Sequence, residues 1–152
     1  MNQVHLPYDW TQAQLKCYLK IMFCSELTNK RISQDGIDYL IEWASMCIQF
    51  QDFNLDGLFE EFSNKLSVDF NDFVRSCFSE SINQNFTNEQ KSFILQGLFD
   101  SLEGLDQLYF AFLLHDYLFP DVSSGCTIVI NMRFHQLFNI GRVTDYQLPN
   151  NI

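Results

Sequence analysis

The chain lacks basic residues where it is richest in acidic ones. Between Asp35 and Asp106 only Lys65, Arg75 and Lys91 stand against fourteen Asp and Glu, a net charge of −11 over that stretch at neutral pH. Residues 1–34 carry +2 and residues 107–152 carry −1, for −10 in all. This balance argues against direct nucleic-acid binding, because contact with phosphates needs clustered Lys or Arg. The one such group is Lys16, Lys20, Lys30 and Arg31, and it is expected to pair with the acidic middle of the same molecule.

Other absences narrow the reading further. The longest apolar run is Leu108–Leu114, far short of the ~20 residues a bilayer crossing requires, so no membrane span is expected. Five cysteines form an odd number with no CxxC pair. Four of them, Cys17, Cys24, Cys47 and Cys77, fall on apolar helix faces, where a free thiol packs as a small hydrophobe. Met1 is followed by polar and mixed residues rather than a secretory leader. A reducing, cytoplasmic setting is therefore expected, and the sequon Asn85-Phe86-Thr87 reads as chance. There is no GxSxG, HExxH, Walker loop or Rossmann glycine fingerprint, and the six glycines are dispersed. Neither an enzyme nor a cofactor is expected.

What is present is apolar residues at helical spacing. At 47% hydrophobic residues and a mean hydropathy of −0.09, the chain has globular composition. A chain of this length buries roughly 68–70% of its unfolded surface in one domain. A capping box, Thr11 with Gln14, precedes a stripe of Leu15, Tyr18, Leu19, Met22 and Phe23. Ser33 or Asp35 caps a second helix whose stripe is Ile37, Leu40, Ile41, Ala44, Cys47 and Ile48. A third helix is predicted at about 54–66 and a fourth at about 69–82, with Asp69 and Asp72 in its first turn, where the helix dipole favours anions. Thr87 with Gln90 is a second capping box. It opens a fifth helix that carries Phe93, Ile94, Leu98 and Leu102 and stops at Gly104. The sixth, about 105–119, is apolar on nearly every side and ends at Pro120, which suits a central position. A seventh helix over 132–140 is favoured, with a short strand near 127–130 as the alternative, and 142–152 reads as a loosely held tail. The expected fold is an all-α, single-domain bundle of six or seven helices.

Two local features invite a chemical reading. Asp52-Phe53-Asn54-Leu55-Asp56-Gly57 matches the opening half of a calcium-binding EF-hand loop, in which alternating oxygen ligands flank a glycine turn. The twelfth position of such a loop needs a bidentate Glu and holds Ser63 instead. The simpler reading makes Asp52, Asn54 and Asp56 the turn and cap of the third helix. His115, His135 and Cys126 lack ligand spacing, and no metal site is expected.

The remaining feature is the acidic face. Asp38 and Glu42, then Asp56 with Glu60 and Glu61, then Asp69 and Asp72 project from successive helices away from their apolar stripes, and Asp52 joins them from the turn before the third helix. Trp43, Tyr39 and Phe53 lie off those stripes as candidate aromatic anchors. A solvated surface with acidic helix starts accounts for part of this pattern. The functional expectation is an acidic, non-enzymatic binding protein that neutralises a basic partner, such as a toxin or nuclease domain, in the manner of an immunity-type inhibitor. Charge supplies the on-rate and buried anchors the slow off-rate. The alternatives are a DNA mimic of the anti-restriction kind and a helical adaptor that holds an amphipathic helix in an apolar groove. Oligomeric state is left open.

Overall fold

The computed structural model describes residues 3–27 and 32–120. Residues 126–152, with the expected strand, seventh helix and tail, lie outside the described residues, as do Lys30 and Arg31. Among the described residues the fold is all-α, with six helices. They are α1 (Gln12–Ser25), α2 (Gln34–Ser45), α3 (Leu55–Val68), α4 (Phe70–Asn83), α5 (Asn88–Asp100) and α6 (Leu105–Leu118). No helix among the described residues is long and apolar enough to cross a membrane.

Capping chemistry sets the helix starts. Both expected capping boxes form: Gln14 N–H donates to Thr11 Oγ1 and Thr11 N–H to Gln14 Oε1, each at 3.0 Å. Thr87 and Gln90 repeat the pattern ahead of α5. Ser33 caps α2, Asn54 caps α3 and Asp69 caps α4. The two boxes are also joined. Buried Gln90 donates through Nε2 to Asp9 O at 2.7 Å and to Gln14 Oε1 at 3.3 Å, and Gln14 Nε2 donates to Gln84 O at 3.1 Å. One amide network thus ties the N-terminal segment, α1 and the α4–α5 turn together. In that turn Asn85 takes the left-handed conformation (φ 54°), which Asn tolerates after a helix end.

Two boundaries differ from the sequence reading. The apolar spacing of α2 runs on to Ile48, yet the helix stops at Ser45. Val4 takes over the backbone there: its N–H donates to Met46 O at 2.7 Å, and Ile48 N–H donates to Val4 O at 2.9 Å. Gln49 extends this clasp by pairing its side-chain amide with both Leu6 N–H and Leu6 O. A contact with a segment more than 40 residues away in the chain thus outcompetes local periodicity. At the other site, α5 ends at Asp100 rather than at Gly104. Gly104 instead precedes α6 in an extended conformation.

The core is built around α1 as well as α6. α1 packs on α2, α4, α5 and α6, while α6 packs on α1, α4 and α5. From Cys17 to Ser25 every residue of α1 is buried, on all sides and not only along the predicted stripe. The phenylalanine excess fills this core in several aromatic groups. Phe23 touches Phe59, Phe62 and Phe73, with ring centroids 5.5–6.2 Å apart. Trp10 stacks on Tyr18 at 5.5 Å, and Phe78 stacks on Tyr117 at 5.0 Å. Such pairs contribute ~0.5–1.5 kcal/mol each beyond their area burial.

Candidate functional site

The structure sorts the acidic candidates into separate settings. Asp38, from α2, and Asp56 and Glu60, from α3, line one groove between these two helices, of about 540 Å³. Its remaining lining is Ile32, Gln34, Ile37, Ile41, Phe59, Ser63, Leu66 and Ser67. The three carboxylate residues are exposed, whereas Phe59 and Leu66 are buried and Ile32, Ile37 and Ile41 half-buried. The groove therefore has an apolar floor and an acidic rim, with carboxylates on both walls. Helical geometry explains the arrangement. On α3 the positions 56, 59, 60, 63, 66 and 67 share one face across three turns. On α2 the apolar stripe is wide: Leu40 and Ala44 enter the core, which leaves Ile37 and Ile41 at its edge.

The other acidic residues are placed differently. Glu61 faces the opposite side of α3, where it pairs with Lys16 Nζ at 3.6 Å and Lys65 Nζ at 3.5 Å. Burial acts upward on its carboxyl, but the two ammonium groups outweigh it and hold it below the usual range. Asp69 is occupied as a cap, accepting Asp72 N–H at 3.0 Å. Both line a second cleft with Lys20, Lys65 and Phe73. Glu42 and Asp52 are exposed and outside the groove lining. Trp43 is half-buried and packs edge-on against Tyr18 at 5.7 Å and beside Phe50 at 5.9 Å. Phe53 likewise packs on Phe50 at 5.9 Å. Of the three aromatic candidates only Tyr39 is largely exposed, at 53%.

The calcium-like hexapeptide has a simpler explanation. Asn54 Oδ1 accepts Gly57 N–H at 3.2 Å as the α3 cap. A Cβ on Gly57 would fall 2.5 Å from Asn54 Nδ2, so the glycine is what lets the cap sit against the first turn. Asp56 complements the helix dipole one position inside. Among the described residues no group of His, Cys, Asp and Glu has the geometry to hold a metal. His115 Nδ1 lies 3.3 Å from Asp116 Oδ1 on the same helix. The Cys17 thiol is a poor nucleophile: burial, reinforced by Cys77, pushes it up to about 12, and a thiol that stays protonated is unreactive.

Three features escaped the sequence. The first is the groove's apolar floor, whose isoleucines read as plain core stripe. The second is Ser63, whose hydroxyl is shielded from solvent without a hydrogen-bond partner. The third is the Lys20 ammonium, which donates to Glu80 Oε2 at 2.6 Å and Ser76 Oγ at 2.7 Å and lies 4.7 Å from the Phe73 ring centroid. That lysine and glutamate would meet was anticipated as a class: Lys16 and Lys20 both pair with the acidic middle. Which carboxylates they choose depends on the packing of α1 against α3 and α4.

One carboxylate has a pH consequence. Burial, helped by the charge of Glu103, raises the Glu26 carboxyl above its ordinary value. A raised folded-state value means the stability linked to protonation is fully present below the unfolded value near 4.5 and is lost as pH rises through the folded value. Glu26→Gln is therefore expected to stabilise the protein at pH 7 and to give no gain at pH 4. Urea melts at both pH values check this, and an equal effect at both would remove the explanation.

Compared with known protein families, curated proteins and solved structures, the chain matches none.

Proposed function

We propose that this chain is an acidic, non-enzymatic binding protein that neutralises a basic protein partner, in the manner of an immunity-type inhibitor of a toxin or nuclease domain. The observation that carries this reading is the α2–α3 groove, where Asp38, Asp56 and Glu60 rim an apolar floor. A field of −11 over residues 35–106 draws a cationic partner in, and the floor offers buried area for anchors. Charge of this density is steeply screened: the Debye length falls from ~30 Å at 0.01 M salt to ~8 Å at 0.15 M.

The test is binding of the immobilised chain to a panel of basic toxin and nuclease domains, measured by interferometry at low and physiological salt. Affinity is expected to fall by at least ~10-fold between the two, mainly through the on-rate. The triple reversal Asp38→Lys, Asp56→Lys, Glu60→Lys is expected to abolish binding while helical circular dichroism is retained. Failure of every basic candidate to bind at low salt would end this reading.

A further inference from the structure

We infer that the occupant of the α2–α3 groove is a cationic amphipathic helix of the basic partner, seated with its apolar stripe on Ile37, Ile41, Phe59 and Leu66. This inference rests on the reading of the acidic face as a partner site and adds the shape of what binds there.

The walls decide between helix and strand. Both are α-helices whose mid-helix N–H and C=O groups are consumed internally. They offer no ladder to an extended segment, whose own backbone groups would lie unpaired over an apolar floor. Each unpaired buried group costs about 1–3 kcal/mol. A helical occupant satisfies its backbone by itself and needs only side-chain contact, which is the helix-in-groove mode of recognition. The length agrees. The α3 wall runs from Asp56 to Ser67, and at 1.5 Å per residue this spans roughly 16 Å, about three helical turns.

Charge sets the rest of the pattern. Asp38 stands on one wall, and Asp56 and Glu60 stand on the other. The complementary helix carries Lys or Arg on both flanks of an apolar stripe at i, i+3 or i+4, and i+7.

The probes are three fluorescently labelled peptides, titrated into the full chain at low salt and followed by anisotropy. One places Leu and Lys at helical spacing over four turns. The second has the same composition in strict alternation, and the third is oligolysine of equal charge. The helical-pattern peptide is expected to bind at least ~10-fold more tightly than either control, an energy difference of ~1.4 kcal/mol. Asp38→Lys with Glu60→Lys is expected to remove that binding. Ile41→Ser is expected to reduce it for the helical-pattern peptide alone. Equal binding of all three peptides, lost together on charge reversal, would overturn the helix and leave the acidic site standing. Binding that survives charge reversal, or absence of peptide binding beside a basic domain that does bind, would overturn it as well.

Discussion

Phe23→Ala is expected to destabilise the protein by roughly 3–5 kcal/mol, the usual cost of emptying a buried phenylalanine site. Phe23 is fully buried on α1 and touches the rings of Phe59 and Phe62 on α3 and Phe73 on α4. Its loss removes apolar burial, three ring contacts and the wedge that holds α1, α3 and α4 at their spacing. Close-packed interiors collapse only partly into such a void. Total stabilities of ~5–15 kcal/mol make this a large fraction, visible as a lowered urea midpoint. Phe23→Leu, which keeps most of the volume, is expected to cost less than half as much. A loss below ~1 kcal/mol for the alanine variant would mean that the ring cluster is not the centre of the core.

The second prediction is an asymmetry. The Lys20 side chain is only 11% exposed, whereas that of its partner Glu80 is 48% exposed. Glu80→Ala leaves a nearly buried ammonium with only Ser76 and the Phe73 ring as compensation. The expected cost is about 1–3 kcal/mol, the range for a buried polar group that loses its partner. Lys20→Met does the reverse. It replaces the buried stem with an apolar chain of similar length and returns Glu80 to water, so the expected change is below ~1 kcal/mol in either direction. Denaturant melts of both variants and of the double variant read this directly. The double variant is expected to resemble Lys20→Met, because Glu80 matters only while the ammonium is there to be neutralised. Equal costs for the two single variants would show that the pair acts as an exposed ion pair rather than a buried one.

The fold and the candidate site were legible to different degrees. Helix starts came through well, because capping is local. Thr11, Ser33, Thr87 and their i+3 partners act within a few residues of themselves; Thr11 and Thr87 cap as read, and Ser33 is the one of the two candidates, Ser33 and Asp35, that caps α2. Helix ends came through less well. Cys47 and Ile48 continue the α2 periodicity, but the backbone of Val4 claims the end of that helix. Of the candidate site, the sequence showed that carboxylates crowd helices two to four. It did not show that Asp38, Asp56 and Glu60 would share a rim while Glu61, adjacent to Glu60, would be neutralised on the far side by Lys16 and Lys65. Adjacent residues on a helix differ in direction by about 100°, so neighbours in the chain part company as soon as another helix docks. Trp43 illustrates the converse: a residue off the stripe of its own helix lies against Tyr18 of α1.

By itself, then, the sequence determined that this protein is helical, where most helices begin, that its middle is acidic, and that two lysines of α1 would be drawn toward that middle. These depend on periodicity, capping and Coulomb attraction, which act locally or without direction. The tertiary structure alone decided that α1 is enclosed on all sides from Cys17 to Ser25, that Lys20 is buried against Glu80, and that three of the carboxylates surround an apolar groove. Those outcomes depend on which helix faces meet. That choice is made by the packing of side chains from distant parts of the chain, and no local pattern encodes it.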